Sequence, residues 1–415
     1  MRAVVIGAGL AGLTAAVRLA EGGADVTVVA KGAGSLHLSP GTIDVLGYAP
    51  GRVRSPRAEL PGFVAGRPAH PYARVAGALE EALDWFRRRT PGLRHIGGTE
   101  RNMLLPTALG VPRPTALAPA SIAAGDLASA RRLVIVGLRA LKDFFPRMAA
   151  DNLALADVPG GPPEVRHAEA AWSPRPGRAD VAAPVFARAL DAPGARAELT
   201  AELRTLIAPG ETLALPAVVG LTRAAEAWDD LVARIGAPVA EIPTIPPSVA
   251  GMRLQLALAG ALADAGGRLV LGPAAVGGEG SNGRLTGVLV RDAARERAVP
   301  ADAVVLATGG FSAGGVELDS HGALTETVLG LPVAGPREGA DPLSVRHLDH
   351  QPLMTAGVAT DDALRPVDGS GAVVWENLRA AGTIVAGAEP WREKSGEGVA
   401  IAGGHMAATS ILGAT

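Results

Sequence analysis

The chain has 415 residues, 48% of them hydrophobic and 19% charged, enough apolar material for one large or two medium domains. A net charge of −2 gives no electrostatic reason to expect nucleic acid or an acidic membrane surface as a partner. There is no cysteine, which excludes disulfides, thiol catalysis and thiolate-held iron–sulfur clusters in this chain.

The opening residues, RAVVIGAGLAG, read as a buried strand, a tight glycine turn and a helix start. Gly7 allows the turn, Gly9 lets the backbone approach a pyrophosphate, and Gly12 lets the helix pack on the strand. The helix N-terminus, with Leu10 and Ala11, then faces the phosphate charge. The first twenty residues are apolar, but they carry this motif in place of a charged leader and cleavage site, so we expect a cytosolic protein. No uncharged apolar run reaches the roughly 18 residues that a membrane-spanning helix needs. A second strand, 24–30, completes a strand–helix–strand unit. Such a strand usually ends in an acid that binds the ribose hydroxyls of an adenosine, and here it ends in Lys31. Either the ribose is held another way, or the ligand has no adenosine, as in FMN.

Residues 49–71 are rich in Pro, Gly and Arg and read as a connection, and 72–89 show a helical pattern. A second α/β region follows: strand 131–138, helix 141–156 broken near Pro146, strand 164–172, helices 181–191 and 194–207, strand 212–221 and helix 223–235. This alternation predicts a second parallel sheet. Residues 243–271 give a proline turn, a helix and a strand, and SNGR (281–284) is a hairpin turn. The apolar strand AVVLATGG (303–310) returns the chain to the first sheet. In the tail, 382–388 read as a strand ending at Gly387, then a glycine-rich loop and a last helix from about Val399 to Leu412.

Several of these segments carry a family resemblance. They are SLHLSPGTIDVLGYAP (35–50), IPTIPPSVAGMRLQ (242–255), LATGGFSAGG (306–315), GVATDDALRP (357–366) and ENLRAAGTIVAG (376–387). In this order, over nearly the whole chain, they resemble the B subunit of anaerobic glycerol-3-phosphate dehydrogenase, and more distantly flavoproteins such as fumarate reductase. The resemblance implies an α/β fold: a discontinuous Rossmann-like FAD/NAD(P)-binding domain (1–75 and 243–415) with an inserted second α/β domain (76–242). It implies oxidation of glycerol 3-phosphate to dihydroxyacetone phosphate, with electrons passing to quinone. The cofactor implied is FMN, with FAD as the alternative. The partners implied are a larger FAD-containing catalytic subunit and an iron–sulfur membrane-anchor subunit, which would hold the chain at the inner face of the cell membrane.

In related flavoproteins the loop after the second strand passes beside the flavin, so Ser35, Ser39 and Gly41 are candidate cofactor contacts. His37 is the candidate for proton or hydride chemistry near the ring, because imidazole titrates in the useful range. Thr308, Gly309 and Gly310 are expected to close over the cofactor, with Lys31, Gly387, Gly396, Gly398 and Val399 around it. The last helix N-terminus would stabilise charge on a reduced ring, and Glu397 beside it reads as solvated. Arg365 is a candidate phosphate ligand through its planar fork, set against a local pairing with Asp361. His347 and His350, with Asp349 between them, resemble a metal cluster only superficially, so no metal site is expected. Two other readings stay open: a structural subunit without flavin, and an independent flavin-dependent oxidoreductase.

Overall fold

The computed structural model describes residues 1–293, 295–336 and 339–414. Its central sheet is built from segments far apart in sequence. The strand order is Arg268–Leu271, Asp25–Ala30, Arg2–Ile6, Ala303–Leu306 and Leu378–Ala380. Every pairing is parallel, and Ala3 to Ile6 lie in register with Ala303 to Leu306. All-parallel strands covered on both faces read as continuous apolar runs, which explains VVI and AVVL. The opening helix (Leu10–Glu21) and the closing helix (Gly396–Gly413) pack against each other under this sheet. Gly404 permits that approach, since a Cβ there would collide with the Ala11 carbonyl.

A second parallel sheet, ordered Val239–Ile242, Thr212–Pro216, Arg132–Leu138 and Glu164–Ala170, has its own core. The helix Val249–Asp264 packs against the opening helix. It is tied to the second sheet by a buried pair: Arg253 donates to Glu241 at 2.7 and 3.0 Å. Ser121 Oγ and the Val219 N–H also donate to that carboxylate, at 2.7 and 2.8 Å. An antiparallel meander of the strands Ala274–Ser281, Arg284–Asp292 and Arg295–Pro300 flanks the first sheet. No helix among the described residues is long and apolar enough to cross a membrane.

Three expected elements differ. The helix expected over 141–156 spans only Pro146–Leu153, because proline suits the first helical position, where its missing N–H costs nothing. The stretch 382–388 is not a strand. Gly382 sits at φ +79°, which ends extension, and a short 3-10 turn runs over Gly382–Ile384. The strand that joins the sheet there is Leu378–Ala380. The closing helix starts at Gly396, before the expected Val399, so Gly396 and Gly398 lie inside its first turn.

Candidate functional site

The carboxyl ends of the first sheet open onto a cavity of about 1060 Å3. That is at the top of the roughly 300–1,000 Å3 usual for small-molecule sites. At its middle is the glycine turn. Gly7 has φ +111°, and a Cβ there would collide with the Ala307 carbonyl, so only glycine lets the two strands end side by side. Gly12 faces the Gly7 carbonyl so closely that it too has no room for a Cβ. Gly9 is different: a Cβ there meets no protein atom within 4 Å, because it would project into the cavity. The opening helix has no side-chain cap and no acid in its first turn. Its first N–H groups and the positive end of its dipole therefore remain free for an anion.

From this turn the cavity runs two ways. One arm passes Val29, Ala30, Lys31 and Gly32 to Ala275, Val276 and Arg291. Lys31 is exposed there, and Arg291 is paired with Glu296 at 2.8 Å. The other arm is lined by Thr308, Gly309, Gly310, Thr383, Met354 and Trp391, and the 3-10 turn Gly34–Leu38 begins against the Gly9 backbone. Thr308 Oγ1 is buried in this wall without a hydrogen-bond partner. A Cβ on Gly315 would stand 2.7 Å from it, so the hydroxyl faces the Gly315 backbone behind the wall. Gly310 N–H donates to Thr383 Oγ1 at 3.2 Å, which fixes the turn after the strand. The first turn of the closing helix, with Gly396 and Glu397, ends the arm.

Among the sequence candidates, Gly7, Gly9, Leu10, Ala11, Lys31, Ser35, Ser39, Thr308, Gly309, Gly310 and Gly396 line the cavity. Gly12 stands just behind the turn. Four others serve packing. A Cβ on Gly41 would press into Ala250, one on Gly387 would collide with the Ala69 carbonyl, and one on Gly398 would collide with Tyr72 Oη. Val399 is buried in the core. His37 does not line the cavity: its carbonyl accepts from the Ser248 N–H at 2.9 Å, and its Nε2 is buried without a partner. Arg365 lies outside the lining, held by Asp361 at 2.8 Å and Glu376 at 2.6 Å. His347 stacks on Trp391 and His350 bonds Glu389, and no group of three or more metal-ligating side chains forms among the described residues.

Glu397 corrects its sequence reading. It is half-buried on the cavity wall, and its carboxyl is pushed up to about 7, first by burial and then by the Asp44 charge, with Arg113 opposing. Asp44 is fully buried and accepts from Arg113 Nε at 2.6 Å and from Thr115 Oγ1 at 2.9 Å. Sequence reading missed this group because Arg113 and Glu397 lie far from Asp44 in the chain. A charged residue inside the apolar start of a helix was the one available signal.

The sequence is similar to known proteins along nearly its whole length. Residues 2–399 match the family described as FAD binding domain. A probable anaerobic glycerol-3-phosphate dehydrogenase B subunit from Halobacterium salinarum is 35% identical, over 98% of this chain and 96% of that protein. The anaerobic glycerol-3-phosphate dehydrogenase B subunit of Yersinia pestis is 32% identical, over 99% of this chain and 97% of its own length. Among solved structures, a 3-ketosteroid delta1-dehydrogenase from Sterolibacterium denitrificans aligns over 100% of this chain and 99% of its own at 13% identity and a TM-score of 0.45. With a family match over almost its full length and relatives aligned end to end, the chain belongs to the FAD binding domain family and to the family of anaerobic glycerol-3-phosphate dehydrogenase B subunits.

Proposed function

We propose that this chain is the flavin-carrying B subunit of a complex that oxidises glycerol 3-phosphate to dihydroxyacetone phosphate and passes the electrons toward quinone. The observation that carries this is the two-armed cavity centred on the Gly7–Gly12 turn. A bound flavin supplies the chemistry: it accepts an electron pair and releases it singly. The protein residues position it. The uncapped opening helix neutralises phosphate charge, Gly9 leaves room for the phosphate to approach the backbone, and the Thr383–Gly310 contact holds the wall.

The flavin we propose is FAD. In this fold the adenosine lies by the end of the second strand, and the cavity continues past the turn to Lys31 and Arg291. FMN is the second reading, favoured by Lys31 standing where an acid usually binds ribose. Because the chain has no cysteine, any thiolate-held cluster that takes its electrons belongs to another subunit. We infer a larger catalytic subunit and an iron–sulfur membrane subunit, the latter holding the complex at the inner membrane face. The test is co-expression with those partners and glycerol-3-phosphate-dependent dye reduction. Turnover that disappears when this chain carries Gly9→Val supports the reading. Full turnover by the partners without this chain would contradict it.

A further inference from the structure

The arm of the cavity that ends at the closing helix is the ring end, since the adenosine end lies by Lys31. Resting on the flavin reading above, we propose that Glu397 is the proton-exchanging residue of this end. It takes a proton from solvent when a flavin beside it receives two electrons, and returns it when they leave. The balance is simple: a bound flavin would take the hydride from the substrate carbon, the substrate hydroxyl proton would go to water, and the Glu397 carboxylate takes one proton from solvent to become a carboxylic acid. No bond to carbon forms or breaks at Glu397.

The geometry places the carboxyl deliberately. The Gly398 N–H donates to the Asp44 carbonyl at 2.9 Å. A Cβ on Gly398 would collide with Tyr72 Oη and stand 3.0 Å from Val45 Cα. Only glycine therefore lets the first helical turn press against Asp44 and Val45, and that contact sets Glu397 on the cavity wall. Tyr72 Oη locks the arrangement by donating to the Val45 carbonyl at 2.6 Å.

The electrostatic surroundings are mixed. Asp44 is anchored by Arg113, Thr115 and Thr42. Lys394 and Arg113 oppose it, while Glu393 is held by His70 and Ser395. Tyr72 stays neutral, its hydroxyl pushed up by burial. Glu397 alone in this group lines the cavity, and burial pushes its carboxyl up to about 7. A negative charge arriving on a neighbouring ring disfavours the carboxylate further, so reduction draws a proton onto Glu397. By reciprocity, the protonated acid favours the reduced ring.

The experiment is proton uptake on reduction of the flavin-loaded full chain at pH 7.5, followed with a pH-indicator dye, in wild type and Glu397→Gln. Flavin content is measured on the same samples. We expect both to hold flavin, and the wild type to take up more protons per two electrons. A purely structural Glu397 would leave that number the same in both, and equal uptake overturns the proposal. Should the variant not fold, reduction-induced infrared difference spectra of the wild type decide. A new carboxylic acid band supports the proposal, and its absence overturns it. A folded chain that binds no flavin removes the underlying reading instead, and the flavin assay shows which has failed.

Discussion

The glycines of the opening motif have unequal jobs, and substitutions separate them. Gly9→Val adds atoms into empty cavity space, so it should leave the melting temperature nearly unchanged and abolish flavin retention, read by absorbance of the purified chain. Gly12→Val drives atoms into the Gly7 carbonyl, and overpacking of that kind costs about 1–3 kcal/mol, so it should lower the melting temperature in the absence of flavin. Thr308→Val removes an unpaired buried hydroxyl, which costs the free chain little. It should leave the melting temperature nearly unchanged, because no hydrogen-bond partner is left stranded. Glu397 gives a pH-dependent outcome. Its folded pKa, about 7, is raised above an unfolded value near ~4.3, so the folded wild type is penalised as the carboxyl ionises. Glu397→Gln should therefore match the wild type in melting temperature below that window and exceed it above, with the gap opening between the two values.

Elements were legible where one local rule governed them. The opening strand, turn and helix follow from VVI, three glycines and an apolar helix, and the parallel second sheet follows from its strand–helix alternation. Legibility failed where a distant contact decided. The stretch 382–388 has strand composition, but Gly382 turns left-handed against Ala11 of the opening helix. Gly41, Gly387 and Gly398 are glycines for the same kind of reason, a close approach by remote backbone or side chain, and a sequence cannot distinguish that from a cofactor contact. The Glu241–Arg253 pair is another such case, since nothing local marks Glu241 as buried. Removing one partner strands the other charge, so Glu241→Ala should cost about 3–5 kcal/mol in denaturant unfolding. The effect should concentrate where the helix Val249–Asp264 meets the second sheet.

At the scale of the whole molecule, a parallel sheet assembled from both ends of the chain places two uncapped or glycine-rich helix starts at one cavity. The opening helix meets phosphate charge, and the closing helix brings Glu397 to the ring end. The sequence resemblance reached the family directly, because its motifs run through the chain in order. It did not reach the length of the cavity, which depends on the meander 274–300 folding beside Lys31. The measurement that bears most directly on this account is the flavin itself. The chain is purified, its absorption spectrum recorded, the cofactor released by heat and identified by chromatography. The account predicts FAD, close to one per chain. FMN would contradict the two-armed use of the cavity, and a folded chain that carries no flavin and takes none up on reconstitution would contradict the function as a whole.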